Sequence, residues 1–586
     1  MVLQTLDWII ITSFFGVYLI IGFLVSRRSG QNATEFFLSG RNMPWWLLGV
    51  SMVATTFSTD TPNLVADIVR QNGVAGNWVW WAFLLTGMLT VFVYARLWRR
   101  SGVLTDLEFY EIRYSGKAAA FLRGFRALYL GVLFNILVMA AVCLAMIKIG
   151  GVLLGLSPVK TLILASVVTV LYSTFGGLRG ILFTDLIQFA IAMVGSVGAA
   201  IFILDLPEIG GLQNLLSHSQ VATKLSFLPD FNNTDLLVTA LILPLAVQWW
   251  SVWYPGSEPG GGGYIAQRML SSKNEKHAIG ATLFFNVAHY ALRPWPWILV
   301  ALASLVVFPD LAALKVAFPA VDDQVIGHDL AYPAMLSLLP VGFMGLVVAS
   351  LIAAFMSTIS THLNWGASYI AHDFYRRFIN PTADEKKLVL VGRISTVGLM
   401  TVTCIFALLL SNALQAFQIL LQIGAGTGLL FILRWFWWRI NPYSEITAMA
   451  ASFLFALYFE IGHELMGFSP LTSTFKLLCG VSLTTIAWFT VTLITKPSDK
   501  QTLQRFTQLI NPGGPGWSKI YSPAETSTGW DVPRGILCMF LGSIFVYSVL
   551  FGTGYFIYNQ INNAAILLVI ALISAFSLYR VWQKIN

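Results

Sequence analysis

Runs of about 20 apolar residues recur along nearly the whole chain, separated by short polar stretches. As an α-helix, a run of that length matches the hydrocarbon thickness of a bilayer. About fifteen such segments are predicted, at 6–26, 45–70, 78–99, 119–154, 158–176, 181–204, 234–254, 277–308, 340–372, 386–411, 413–434, 445–465, 474–495, 533–556 and 563–582. Lipid gives backbone polar groups no partners, so spanning segments are helices or closed-barrel strands, and uninterrupted runs of this length predict helices.

Polar positions break the pattern at three places. The second segment contains ATTFSTDTP (Ala54–Pro62), which ends in proline at mid-membrane. The seventh runs into WYPGSEPGGGGY (Trp253–Tyr264), which no continuous helix tolerates. Irregular backbone at that depth persists only where it is buried in protein or lines a cavity. The two broken segments are an odd number of spans apart, so they begin on opposite sides. That parity predicts inverted repeats, spans 2–6 and 7–11, with a binding site between the discontinuous helices. The third place is FMSTIST (Phe355–Thr361) in the ninth segment. Its hydroxyls could coordinate a hard cation, bond the carbonyl four residues back, or hold neighbouring helices together.

Composition agrees with a membrane protein: 57% hydrophobic and 11% charged residues, with mean hydropathy +0.73. The net charge of +8 is explained by loop placement rather than by nucleic acid. With the N-terminus outside, only Arg70, Lys148, Lys160, Lys224, Lys315 and Lys476 lie at the outer side, and Arg293 lies mid-membrane. The other Lys and Arg, including Arg27, Arg28, Arg99, Arg268, Arg376 and Arg439, fall at inner loops or helix ends. This predicts an outer N-terminus and a cytoplasmic C-terminus in a multi-pass cell-membrane protein, of the bacterial inner-membrane kind. The first segment is too long for a signal-peptide core and is expected to be retained. Cys143, Cys404, Cys479 and Cys538 have no metal spacing and no disulfide framework. The polar stretches 205–233, 309–339 and 496–532 are too short for a large soluble domain, so 1–586 reads as a single polytopic domain.

Asp185, one turn inside the sixth segment, is the first chemical candidate. A carboxylate there costs about 2.5–3.5 kcal/mol on insertion scales and marks a functional site by default. The alternative is an interfacial acid reaching the inner surface. Ser357, Ser360 and Thr361 share one helix face, and with Asp185 they make a plausible all-oxygen sodium shell carrying one formal charge. Asp60 and Arg293 are both mid-membrane; they could bind the two ends of a zwitterion, or pair with each other. Gly260–Gly263 lack a following Lys-Ser/Thr, so they read as an unwound segment rather than a phosphate loop. Glu460, His463 and Glu464 imitate half of a di-iron site without the second half. His289 and His362 are intramembrane and could tune pH dependence, or simply be satisfied core residues.

Five stretches together resemble the sodium:solute symporter family, which includes proline, sialic acid and glucose carriers. They are WWLLGVSMVATTFS (Trp45–Ser58), GVLTDLEFYEIRY (Gly102–Tyr114), YSTFGGLRGILFTDLIQ (Tyr172–Gln188), QRMLSSKN (Gln267–Asn274) and ASLIAAFMSTISTHLN (Ala349–Asn364). The resemblance runs from about Gly22 to Arg439. It implies an all-α integral membrane fold, with a five-plus-five inverted repeat of the LeuT type at about 45–440. One N-terminal helix (6–26) and about four C-terminal helices (445–582) are extra.

The resemblance also implies site roles. One sodium would take the carbonyls of Ala54, Phe57 and Ala354 and the hydroxyls of Ser357 and Thr358. A second would take Asp185, Ser357, Ser360 and Thr361. The solute would meet Thr56, Asp60, Thr61, Trp80, Trp253, Tyr254, Arg293, Gln418 and Gln422. This chain departs from the sugar carriers at Asp60, Trp80, Arg293 and the Gly-rich insertion, so sugar specificity is not implied. The expected activity is sodium-driven uptake of a small polar organic solute by alternating access, with two sodium ions per cycle and an amino acid-like zwitterion as solute. A sodium/sugar or sodium/carboxylate symporter, or a transporter-derived sensor, is the alternative. An enzyme would need a convergent nucleophile, base or metal set, and none is found. The expected partners are the solute and the lipid bilayer, with no nucleic acid and no obligate protein.

Overall fold

The computed structural model describes residues 3–29, 33–254, 256–410, 412–521 and 530–585. Pro255 of the Gly-rich break lies outside the described residues, as do the side chains of Arg27, Arg28 and Tyr172. Among the described residues there are helices and two isolated β-bridges, and no strand.

The principal helices are α1 Thr5–Ser29, α2 Trp45–Thr56, α3 Asp60–Asn72, α4 Val74–Ser101, α5 Gly116–Leu154 and α6 Pro158–Leu204. Then follow α7 Thr234–Ser251, α8 Gly263–Ser271, α9 Glu275–Val307, α10 Phe343–Ile379, α11 Glu385–Ala407, α12 Ala413–Gly424 and α13 Gly428–Leu433. The chain closes with α14 Pro442–Leu465, α15 Ser473–Ile494, α16 Val532–Ile557 and α17 Ile561–Trp582. Eleven of the helical runs are long and apolar enough to cross a membrane.

The breaks fall where the polar pattern puts them. The second segment divides into α2 and α3 around Phe57–Thr59, and Phe57 leaves helical space at φ −97°, ψ 86°. Asp60 stands in the first turn of α3, where a carboxylate suits the positive end of the helix. The fifth and sixth segments are one run, α6, interrupted at Gly177 (φ 55°, ψ −174°). The seventh segment ends at Ser251 and helix resumes at Gly263. Gly256, Gly260, Gly261 and Gly263 all have positive φ, which a β-carbon would resist.

Helix α10 is the centre: 89% of its apolar window is buried, against 17% for α17. It packs against α6, α11, α5 and α2. Helix α1 lies across α6 and α10, and its buried Asp7 accepts hydrogen bonds from the amides of Gly342 (2.7 Å) and Gly345 (2.8 Å). The last helices form two pairs, α14 with α15 and α16 with α17. The second pair leans on α4 and carries many exposed Leu, Ile and Phe side chains, as a lipid-facing rim requires.

Candidate functional site

The break between α2 and α3 lies against the hydroxyl run of α10. Thr358 Oγ1 donates to the carbonyl of Thr55 at 2.6 Å, and Thr55 Oγ1 meets Thr361 Oγ1 at 3.1 Å. Ser357 Oγ donates to Asp185 Oδ1 at 2.6 Å, and Ser51 Oγ donates to Asp185 Oδ2. Asp185 is fully buried, so it is not an acid reaching the surface. Helices α2, α6 and α10 therefore converge on one carboxylate. The hydrogen of each Ser357 and Thr358 hydroxyl is spent elsewhere, so the oxygen keeps lone pairs for a cation. Ala54 O accepts the Phe57 amide at 3.1 Å, closing the end of α2, and a carbonyl retains a second lone pair. Ala54, Phe57 and Ala354 are all buried.

Two features change the cluster that the residues alone suggest. Ser360 Oγ donates back to Ser357 O at 3.1 Å, so its hydroxyl is held by its own helix in this arrangement. Arg268, which charge placement puts at an inner loop, is fully buried on α8 and joins the cluster. Its guanidinium donates to Thr361 Oγ1 at 2.8 Å, to Ser51 Oγ at 3.2 and 3.3 Å, and to Gln267 Oε1 at 2.8 Å. A cation already shares the hydroxyls that flank Asp185. Helix α8 is buried along its whole length, because four glycines before it let the chain dive inward.

Beside the break lies a cavity of about 90 Å³. It is lined by Thr56, Asp60, Thr61, Trp80, Tyr254 and Arg293, together with Thr358 from the hydroxyl run. Its volume is well below the roughly 300 Å³ at which small-molecule sites begin, so this is a closed conformation of any solute site. Trp80 stacks on Tyr290 with centroids 5.8 Å apart, and Tyr254 stacks on Phe83 at 5.7 Å. A short π-helical stretch, Ala288–Leu292, widens α9 and brings His289 and Tyr290 to the cavity. Thr56 Oγ1 and His289 Nδ1 are 3.0 Å apart.

Arg293 donates to His289 O at 3.2 Å and to Val53 O at 3.4 Å, contacts the His289 ring, and lies over Trp297 at 5.4 Å. These contacts are with neutral groups, while the Asp60 carboxylate faces Arg293 from the same cavity without a direct hydrogen bond among the described residues. Trp253, Gln418 and Gln422 are not brought to the cavity here. Trp253 is buried against Phe134 with centroids 4.6 Å apart. Gln418 is exposed, and Gln422 Nε2 donates to Lys476 O at 3.2 Å.

Away from the site, Lys148 and Asp329 form a fully buried pair at 2.6 Å. Glu460 pairs with Lys476 at 3.2 Å, and His463 faces Tyr458 and Ser469. His362 Nδ1 contacts Asn135 Oδ1 at 2.6 Å, an ordinary buried arrangement.

The sodium:solute symporter family model matches residues 36–452. A sodium/glucose cotransporter of Vibrio parahaemolyticus is 26% identical over 492 residues, covering 81% of this chain and 87% of the relative. Sodium/glucose cotransporter 1 of Oryctolagus cuniculus is 25% identical, covering 77% and 71%. A sodium/myo-inositol cotransporter of Canis lupus familiaris is 27% identical, covering 77% and 66%. Among solved structures, a sodium-coupled sialic acid symporter in a substrate-bound outward-open state superposes with a TM-score of 0.65. It shares 20% identity, covering 85% of this chain and 99% of its own, and so supports the fold. On the extent of the family match, this multi-pass membrane chain belongs to the sodium:solute symporter family, whose members are sodium-coupled transporters and not enzymes.

Proposed function

We propose that this protein takes up a small polar organic solute by alternating access, driven by two sodium ions. The observation that carries the reading is the joint between Ser357, Thr358, Asp185 and the broken helix. Thr358 reaches the Thr55 carbonyl at 2.6 Å while Ser357, one residue earlier, reaches Asp185 at 2.6 Å. One ion sits between the Ala54, Phe57 and Ala354 carbonyls and these two hydroxyls. The other sits at Asp185 with Ser357, Ser360 and Thr361, and its entry requires Arg268 to give up its bond to Thr361. The core is the five-plus-five inverted repeat at about 45–440 within a single fifteen-span domain, its N-terminus outside.

The solute is a zwitterion. Supporting this are Arg293, whose hydrogen-bond partners are all neutral, and Asp60, a carboxylate on the same cavity wall. A sugar is the second reading, favoured by the stacked Trp80–Tyr290 and Phe83–Tyr254 walls and by the relatives' substrates.

Sodium uptake into proteoliposomes, stimulated by added solute and screened over amino acids, sugars, carboxylates and osmolytes, separates these readings. Stimulation by a zwitterion that is lost in Arg293→Gln supports the first. Stimulation by neutral sugars alone, unaffected by that change, supports the second.

A further inference from the structure

The Gly-rich segment that precedes α8 carries a buried acid for which the sodium cluster and the solute cavity have no use. Glu258 is 3% exposed, and neither Oε1 nor Oε2 has a well-aligned hydrogen-bond partner among the described residues, although the amides of Glu258 itself and Gly256 face the carboxyl. The surrounding backbone leaves little room. Trp98 Nε1 donates to Gly260 O at 2.7 Å, and the Gly261 amide donates to Glu258 O at 2.8 Å. A β-carbon on Gly263 would lie 3.2 Å from Glu258 Oε1 and 3.1 Å from the Trp365 ring.

The second carboxylate nearby, Asp106, is satisfied. It accepts the Gly263 amide at 2.9 Å and the Tyr369 hydroxyl. The titratable groups facing Glu258 are Asp106 from the 102–108 loop, Tyr254 from before the break and Tyr264 from α8. Arg126 and Arg434 act on Asp106. No cation faces Glu258 itself among the described residues. Gly256 and Tyr264, on either side of the acid, both line the solute cavity.

An ionised carboxylate buried in such a place without a counter-charge is costly, and the group neutralises instead. The tight glycine surroundings leave space for a proton but not for a solvated ion. We infer that Glu258 is a proton-binding site behind the Gly256–Tyr264 wall of the solute cavity, holding a proton while the Gly-rich segment is packed and releasing it when that segment opens to water. On opening, the carboxyl O–H breaks and its proton passes to water, leaving a hydrated carboxylate, and on closing the carboxylate takes a proton back from water. Proton binding itself is independent of the transport reading; only its consequence, a pH-dependent closing of the cavity, rests on that reading.

The purified full chain in detergent, without sodium or solute, is titrated by infrared difference spectroscopy. The expected result is a protonated-carboxyl band that disappears in Glu258→Gln and persists in Asp106→Asn. A band unchanged in Glu258→Gln overturns the assignment whatever the protein carries. In proteoliposomes, uptake by the unmodified protein falls by up to about tenfold per pH unit on the alkaline limb. Glu258→Gln flattens that limb and leaves the sodium-to-solute ratio unchanged. Loss of one sodium per cycle in Glu258→Gln, with the alkaline limb intact, assigns the site to sodium and overturns the proton.

Discussion

At the scale of single residues, Ser357 joins two jobs. Its hydrogen goes to Asp185, and its neighbour Thr358 donates to the carbonyl of Thr55 at the end of α2, so a cation held between them would share the Ser357 oxygen. A hydrogen bond to a charged group is worth about 1.5–3 kcal/mol, so Ser357→Ala weakens sodium binding by about 10- to 100-fold. Sodium titration of intrinsic tryptophan fluorescence reads this change, and an unaltered midpoint removes Ser357 from the site. Asp185→Asn strands the Arg268 guanidinium. Ser51 stands between the two groups, so the loss is smaller than the roughly 3–5 kcal/mol of a directly paired buried charge, and it appears as a lower thermal midpoint. The same variant keeps solute binding but transports fewer sodium ions per solute. A variant as stable as the parent would mean that Arg268 has another counter-charge.

Asp185 and Ser357 are legible in the sequence because a carboxylate and clustered hydroxyls contradict an apolar helix. Ser51 and Thr55 are not, because isolated hydroxyls in a membrane helix ordinarily satisfy their own backbone. Ser360 does just that. Arg268 is illegible for a different reason. It lies five residues before Lys273, where the positive-inside pattern absorbs it, and only the inward turn of the glycine segment shows that it is buried. The aromatic and polar lining from Tyr290 and Tyr264 has no sequence signal beyond helix period.

At the scale of elements, the break after α7 is held by backbone contact. The Trp253 amide donates to Gly424 O at 3.1 Å, and Val252 bridges Ala425. The end of α12 thus locks onto the chain just beyond α7. A β-carbon on Gly424 would sit 2.0 Å from the Trp253 carbonyl oxygen, so no side-chain adjustment relieves it. Gly424→Ala is expected to cost about 1–3 kcal/mol, the range for overpacking. It is also expected to slow uptake through the displaced Trp253–Tyr254 segment. Parallel thermal-shift and uptake measurements check this; a variant with unchanged stability and rate would show that the two elements separate freely. The breaks themselves are legible from proline, glycine and polar residues in apolar runs. Their partner, the close approach of α12, is not, since Gly424 reads as an ordinary helical glycine until its neighbour is known.

At the scale of the whole molecule, the arrangement couples ion and solute because α2, α6, α8 and α10 share one cluster next to one cavity. On the proposed assignment, sodium in the cluster fixes the broken helix against α10, and the effect of sodium on solute affinity must equal the effect of solute on sodium affinity. Each sodium entering down 100 mV yields about 2.3 kcal/mol, and a tenfold gradient adds about 1.4 kcal/mol. Two ions supply roughly 7 kcal/mol, enough to concentrate a neutral solute by about five orders of magnitude, whereas one ion supports fewer than three. The long helices and their order are legible from apolar run length alone. The central place of α10 and the peripheral place of α17 are not, because their apolar windows are similarly hydrophobic and burial depends on what surrounds each.

The central claim is that sodium drives transport through the cluster at Ser357 and Asp185. Its most direct test is solute uptake into proteoliposomes under a fixed inside-negative potential, with an inward gradient of either sodium or potassium. Concentrative uptake with sodium and none with potassium is expected. Equal uptake with the two ions would contradict the claim.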